Sequence, residues 1–277
     1  MNRLLRPLTG LGRTLGRTTL GLTLDLASGL ARAGEAAADS LGGRDRSPAV
    51  LRVRVLILRD GKGVPLTTPE AVQPALNTAD RILRQEVGVR VRVASIRTVV
   101  EIPPDAALNP RANKALLLDD VLGRTEFYRR HLDTVDNVDT VEAVDAAGPA
   151  GAAGIPTAVR SLLPPVLAVP ITVIVVRQIA GNTTGCSLGS SADWVIAQAA
   201  LFDAANTDSY DETVLVHELG HALNLPHHTD RSNLMAPESS PPDRIRGTRL
   251  VGWQRALLQA NRHVIPGAVS GTAPDHG

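Results

Sequence analysis

The sequence His-Glu-Leu-Gly-His-Ala-Leu-Asn-Leu-Pro-His-His, from His217 to His228, decides the fold. If residues 211–223 form a helix, His217 and His221 stand four positions apart on one face, where two imidazoles can bind one metal ion. Glu218 lies beside them and can reach a water on that ion. The spacing therefore predicts a zinc site with a carboxylate as general base, carried on a helix.

Local sequence patterns favour that helix. Ser209 followed by Glu212 matches a capping box, and Asp211 and Glu212 suit the positive end of the helix dipole. Apolar residues form a stripe along the same stretch, namely Val214, Leu215, Leu219, Ala222 and Leu223. We therefore expect both metal ligands on a buried, rigid element.

A catalytic zinc ion takes three protein ligands, so a third donor has to come from beyond the helix. His227 is ten residues after the first histidine, and a straight helix would carry it away from the metal. A sharp turn is expected at Asn224, since Asn is second only to Gly in the left-handed conformation that ends helices. Pro226 prevents the helix from resuming. His228, which we place in solvent, and Glu238 are the alternative third ligands.

The run resembles the extended zinc motif of the metzincin metallopeptidases, His-Glu-x-x-His-x-x-Gly-x-x-His, with Asn224 in place of the glycine. The sequence Asn-Leu-Met-Ala-Pro at residues 233–237 resembles the Met-turn that lies under the metal in that clan. Met235 is the only methionine after Met1, and its spacing from His227 is closest to the matrixin branch. The resemblance covers residues 211–237, and the cysteine-switch sequence and structural-zinc histidines of matrixins are missing.

The resemblance implies an α/β fold of the α+β zincin class, with a mixed twisted sheet, an active-site helix and a small C-terminal subdomain. It implies one catalytic zinc ion bound by His217, His221 and His227. Glu218 would be the general base of an endopeptidase that hydrolyses peptide bonds with a metal-activated water. Peptides or proteins are the implied substrates.

The remaining chain has an α/β order. Strands are predicted at residues 50–58, 87–96, 171–176 and 192–199. Helices are predicted from the Thr68 cap toward Glu86, and at residues 111–132 and 250–263. In metzincins the last strand lies at the sheet edge and pairs with substrate. The candidates for peptide contact are therefore Asp193, Trp194, Val195 and Ile196, with an ordinary strand as the alternative.

We divide the chain into a leader (1–47), a catalytic domain (48–265) whose upper and lower subdomains meet after residue 224, and a tail (266–277) expected to be disordered. The leader has leucines on one helical face and arginines opposite, a basic amphipathic pattern. Residues 1–30 could contact an anionic membrane, and the leader could also be a pro-segment, an imperfect signal peptide or a stretch without a role. Pro7 and several glycines argue against a persistent helix in water.

Composition narrows the possible functions. A net charge of +1 over 277 residues argues against a nucleic-acid partner. Cys186 stands alone, which rules out an internal disulfide framework; we interpret it as an inert loop thiol, with an inhibitory zinc thiolate as the alternative. Carboxylates in residues 135–145 do not follow the spacing of a calcium loop, so calcium is not supported. No apolar run reaches the 18 residues of a membrane span.

Two other functions stay open. One is a non-catalytic protein of the same fold that holds zinc or binds peptides, or a membrane-targeted effector. Glu218 speaks against a purely structural zinc, because such a site closes its fourth position with protein. The other is a zinc hydrolase of non-peptide amides. We expect a monomer. There is no convincing signal peptide, so a secreted or membrane-surface location is implied by the resemblance alone.

Overall fold

The computed structural model describes residues 5–42, 47–132, 169–181, 183–189, 192–206, 210–237 and 245–267. The helices are α1 (Leu5–Gly42), α2 (Pro69–Val87), α3 (Asp105–Leu108), α4 (Asn113–Val121), α5 (Thr213–Ala222) and α6 (Gly252–Ala260). The strands are β1 (Ala49–Ile57), β2 (Val89–Thr98), β3 (Ile171–Val176), β4 (Gly185–Ser187), β5 (Trp194–Gln198) and β6 (Val264–Ile265). The acidic tract at 135–145 and the tail beyond residue 267 lie outside the described residues.

Within the described residues, one six-stranded sheet has the order β2-β1-β3-β5-β4, with β6 paired to β1. The first four strands of this order are parallel, whereas β4 and β6 pair antiparallel with their neighbours. This mixed sheet with helices confirms the predicted fold class. In β3, Val173 and Val175 pack with α2 and α5, while Ile174 and Val176 pack with Phe127 in the opposite layer. Both faces of the central strands are thus covered, as parallel strands require.

The predicted strand at residues 192–199 is observed as β5, but its predicted position at the sheet edge is wrong. β3 pairs with β5 on one side and β4 pairs with it on the other. Trp194, Val195 and Ile196 are buried, and the Asp193 carboxylate forms an ion pair with Arg262 and lies 3.0 Å from His263 Nε2. The strand at the sheet edge next to α5 is β4. A strand of three residues is too short to be recognised from a periodic sequence pattern.

Other predicted elements differ from the structure mainly at their ends. Thr68 caps α2 as predicted, because its hydroxyl accepts a hydrogen bond from Ala71 N at 3.3 Å. The predicted helix at 111–132 is broken: α4 ends at Val121, a turn with Gly123 at φ +76° follows, and residues 126–132 are helical again. The closing helix is shorter than predicted, since α6 ends at Ala260 and β6 follows.

Most of the leader forms α1, which packs against α4 and α6. Gly29 permits the close approach to α6, because a Cβ there would lie 3.3 Å from Ala260 Cβ. Asp25 accepts hydrogen bonds from Arg262 N at 3.1 Å, Arg262 Nη1 at 3.0 Å and Asn224 Nδ2 at 2.6 Å. These contacts stabilise a helix that its glycines disfavour in isolation. Among the described helices, none is long and apolar enough to cross a membrane.

Candidate metal centre

The helix α5 begins two residues later than predicted. Asp211 Oδ1 accepts hydrogen bonds from Thr213 N at 2.8 Å and Thr213 Oγ1 at 2.6 Å, which fixes the first turn. Ser209 lies outside the described residues, and Glu212 does not cap the helix with its side chain. Its carboxylate instead accepts hydrogen bonds from Thr78 Oγ1 of α2 at 2.5 Å and from Tyr210 OH at 2.8 Å. The start of α5 is therefore tied to α2.

The end of α5 confirms the predicted turn. Asn224 has φ +68° and is the one non-glycine residue with positive φ in the described part of the chain. Leu225 N donates to Gly220 O at 2.9 Å, and Asn224 N donates to His221 O at 3.0 Å. This pair of hydrogen bonds is the Schellman pattern that ends helices with a left-handed residue. It reverses the chain and returns His227 to the helix.

Three imidazoles converge at this turn. His217 Nδ1 lies 2.8 Å from Leu234 O, and His221 Nδ1 lies 2.8 Å from Leu225 O. Because a carbonyl only accepts, each Nδ1 carries the proton and each Nε2 keeps a free lone pair. His221 Nε2 lies 3.1 Å from His217 Nε2 and 3.0 Å from His227 Nε2. The nitrogens of a tetrahedral zinc site are about 3.3 Å apart, so this cluster fits one zinc ion.

The electrostatics of the cluster suit metal ligands. Burial lowers the pKa of His217 to about 2, and Arg246 and His221 add to the shift. Burial also lowers the pKa of His221 to about 4, although its hydrogen bond to Leu225 O opposes the change. Both rings are therefore neutral near pH 7, the state that a metal ligand requires.

Glu218 is buried beside the imidazoles, with 5% of its surface exposed. Its Oε2 has no hydrogen-bond partner among the described residues. Burial raises the pKa of Glu218 to about 8, and the nearby charge of Arg246 acts in the opposite direction. Gly185 of β4 makes room for this side chain, since a Cβ there would lie 2.5 Å from Glu218 Cγ and Oε1. A carboxylate with an uncommitted oxygen is available to act as a base.

Met235 lies against the metal helix. It is fully buried, and a Cβ at Gly220 would lie 2.6 Å from Met235 Sδ. The turn that contains Met235 is fixed by Asn233, whose Oδ1 accepts from Met235 N at 2.8 Å and whose Nδ2 donates to Gln254 Oε1 at 2.8 Å. Sequence reasoning missed this buried amide pair, because the two residues are far apart along the chain.

Of the two alternative ligands, His228 does not belong to the described cluster. His228 is half-buried, and its Nδ1 accepts a hydrogen bond from Asp230 N at 3.1 Å. Glu238 lies outside the described residues. The described group that can hold a metal ion therefore consists of His217, His221 and His227, as the sequence predicts.

A cleft of about 1160 Å³ opens over the three histidines. Besides α5 and its turn, residues 183–189 line one side and Leu22, Leu26 and Leu30 of α1 line another. Cys186, predicted as a loop thiol, lies on β4 in this wall and is buried. Sequence reasoning found neither wall, because each reaches the cleft through tertiary packing.

One comparison with known proteins supports the same centre. The family model for matrixin matches residues 175–248, which include all three histidines and Met235. No curated protein matches the chain. Among solved structures, metalloproteinase-II from Bacteroides fragilis is 14% identical, with a TM-score of 0.43 over 78% of this chain and 54% of that chain. The chain thus spans about half the length of that protein.

A second solved structure, archaemetzincin from Methanopyrus kandleri, is 17% identical, with a TM-score of 0.40 over 76% of this chain and 94% of that chain. The matched residues extend from the end of β3 through the three histidines to positions beyond Met235. The match confirms the resemblance stated for the zinc motif: this part of the chain is similar to the matrixins, and it supports a zinc metallopeptidase.

Proposed function

We propose that the protein is a zinc-dependent endopeptidase in which Glu218 is the general base. One observation carries the proposal. The Nε2 atoms of three histidines meet beside a buried carboxyl group that has an uncommitted oxygen, at the floor of an open cleft, and the Nδ1 hydrogen bonds of His217 and His221 leave the Nε2 lone pairs of those two rings free. His217, His221 and His227 would hold one zinc ion. Three protein ligands leave the fourth coordination position of a zinc ion open to water or substrate, whereas a structural zinc site closes that position with a fourth protein ligand.

A bound zinc ion supplies two effects at such a site: it polarises the substrate carbonyl and it lowers the pKa of a bound water. Glu218 accepts the proton of the attacking water and returns it to the leaving amine. Without a metal its pKa of about 8 keeps Glu218 protonated at neutral pH. A cation nearby favours the charged form, so metal binding and activation of the base are coupled.

The substrate is an extended peptide that lies along β4. This strand is the last in the sheet order, and no described strand pairs with its outer edge. Main-chain groups on such an edge bind peptides by adding a strand to the sheet. Gly185 and Cys186 lie on this strand and line the cleft, which puts the peptide beside Glu218. This role replaces the one predicted for residues 193–196.

The second candidate is a protein of the same fold that binds zinc or peptides without cleaving them. The test compares the wild type with Glu218→Gln for zinc content and for hydrolysis of a mixed peptide library. Both proteins are expected to hold about one zinc ion per chain. Loss of the base should reduce hydrolysis by about 10²- to 10⁴-fold.

Glu126→Gln is the matched control, since it removes an exposed carboxylate on the other layer of the sheet. It should cleave like the wild type. If Glu218→Gln cleaves as fast as the wild type, another group is the base. If the wild type holds zinc and cleaves nothing, the binding protein is the correct interpretation.

A further inference from the structure

Arg246 is a buried cation at the metal cleft. Only 8% of its surface is exposed, and it lines the same cavity as His217 and Glu218. Its Nε and Nη1 atoms have no hydrogen-bond partner among the described residues. A guanidinium in this position has lost water without gaining protein acceptors for two of its nitrogens, which is costly.

The guanidinium lies close to the reacting groups. Its positive charge lowers the pKa of Glu218 and of the three imidazoles. Burial lowers the pKa of Arg246 itself, while Asp211 and Glu218 are the carboxylates whose charges act against that shift. Neither of them forms a hydrogen bond with Nε or Nη1. The positive charge therefore acts on the three histidines and Glu218, while Nε and Nη1 have no acceptor among the described residues.

The backbone around Arg246 is fixed to the turn that orients the metal ligands. Gly247 N donates to Arg231 O at 2.9 Å, and a Cβ at Gly247 would lie 1.9 Å from Ser232 O. Leu234 N donates to Arg249 O at 2.8 Å, and Leu234 O is the acceptor for His217 Nδ1. These backbone hydrogen bonds thereby fix the segment that carries Arg246 relative to the imidazole of His217.

We propose that Arg246 binds a carboxylate of the substrate next to the scissile bond. A guanidinium presents two parallel N–H groups that match a carboxylate, and the pairing is strongest where water is excluded. The inference rests on the proposed function, and it specifies the substrate class: peptides with an Asp or Glu side chain, or a free C-terminal carboxylate, close to the cleaved bond. Arg246 is then a specificity-determining residue.

The test measures binding without turnover. Zinc-loaded Glu218→Gln is titrated with pairs of short peptides that differ only in Glu or Gln beside the cleaved bond, or in a free or amidated C-terminus. A charge-assisted hydrogen bond should give the carboxylate peptide about 10- to 100-fold higher affinity. The preference for the side chain or for the C-terminus identifies the source of the carboxylate.

A second substitution is then added to Glu218→Gln. Arg246→Gln should abolish the preference, and Arg246→Lys should keep only part of it, because an ammonium lacks the paired donors. Arg249→Gln, an exposed arginine of the same segment, is the matched control and should keep the full preference. Zinc content of each variant shows that the metal centre is intact.

Equal affinity for both members of each pair, including no binding at all, overturns the inference, as does a preference that survives in Arg246→Gln. The proposed function has a separate outcome in the wild type. Cleavage of neutral and acidic peptides at equal rates overturns the role of Arg246 and leaves the peptidase standing. Carboxylate binding through Arg246 without any cleavage overturns the peptidase and leaves the binding role standing.

Discussion

At the scale of single residues, burial shifts the pKa values of the proposed metal ligands and of the proposed base in opposite directions. Burial lowers the pKa of His217 to about 2 and of His221 to about 4, from 6.5, and it raises the pKa of Glu218 to about 8, from 4.5. The two histidines stabilise the fold above pH 6.5, and this contribution is lost as pH falls toward their folded values. Glu218 contributes to the free energy of unfolding in the opposite sense: its stabilising contribution is fully present below pH 4.5 and is lost as pH rises to about 8.

Below pH 6.5 the two histidines have a larger effect on the pH dependence of stability than the one carboxyl group, so stability rises with pH. Above pH 6.5 only the Glu218 carboxyl group contributes, so stability falls as pH rises. For the protein stripped of metal by a chelator, we therefore expect the thermal unfolding midpoint to be highest near pH 6.5. His221→Gln should flatten the acid side and Glu218→Gln the alkaline side, while His228→Gln should change neither. Thermal unfolding from pH 4 to 9 measures this, and a midpoint that rises steadily to pH 9 contradicts it.

The sequence predicted which three histidines come together, because short spacing along the chain decides it. His217, His221 and His227 follow from helical geometry and one turn. Arg246 and Gly185 were missed because each acts on Glu218, which is distant from both along the chain. The charge of Arg246 acts on the Glu218 carboxyl group, and Gly185 makes room for the Glu218 side chain. Local patterns contain no information about such contacts.

At the scale of elements, the turn after α5 brings His227 to the other two histidines. Asn224→Ala is expected to lower the free energy of unfolding by about 1–2 kcal/mol, because alanine is strained in the left-handed conformation. It should also weaken zinc binding, since His227 depends on that turn. Urea unfolding and competition with a chelator measure the two effects.

Asn224→Gly is the matched variant, because glycine adopts positive φ without strain. It should hold zinc like the wild type, although it loses the hydrogen bond to Asp25. If the alanine variant holds zinc equally well, the turn does not position His227.

The approach of β4 to α5 gives a second prediction. Gly185→Ala would bring a Cβ to 2.5 Å from Glu218 Cγ and Oε1, so Glu218 has to move from its position. We expect at least a tenfold loss of kcat with zinc content unchanged, because the three atoms nearest to this Cβ all belong to Glu218. Gly61→Ala, where a Cβ meets no atom within 4 Å, is the control and should be neutral. Loss of zinc together with activity would mean that the substitution disrupts the whole centre.

Helices and strands were predicted well where a single hydrophobic pattern extends over the whole helix or strand. β3 has five apolar residues and Thr172, all of them buried, and its bounds at Ile171–Val176 were predicted correctly. β4 has three residues, and its position at the edge depends on pairing with β5, which no periodicity shows. The helix predicted at 111–132 is interrupted after α4, where Gly123 adopts the left-handed conformation at φ +76°.

At the scale of the whole molecule, the leader is the segment that its own sequence determines least. Basic amphipathic helices suit a membrane, a docking surface or a targeting signal alike, so the charge pattern alone left these roles open. The contacts favour docking: Asp25 joins α1 to Arg262 and Asn224, and Leu22, Leu26 and Leu30 line the metal cleft. A helix held there narrows the path of a substrate to the histidines.

The final prediction tests that consequence. Asp25→Ala removes the acceptor of three hydrogen bonds and leaves the Arg262 side chain, which is 4% exposed, with fewer partners. The docking of α1 should weaken by about 1–3 kcal/mol. Limited proteolysis should then cut within residues 5–42 faster than in the wild type, and kcat/KM for a short peptide should rise severalfold as the cleft opens. Thr23→Ala is the control, since Thr23 bonds within α1 to Thr19 O and is exposed. Faster proteolysis with lower kcat/KM would mean that the leucines of α1 form part of the substrate site and do not restrict access to it.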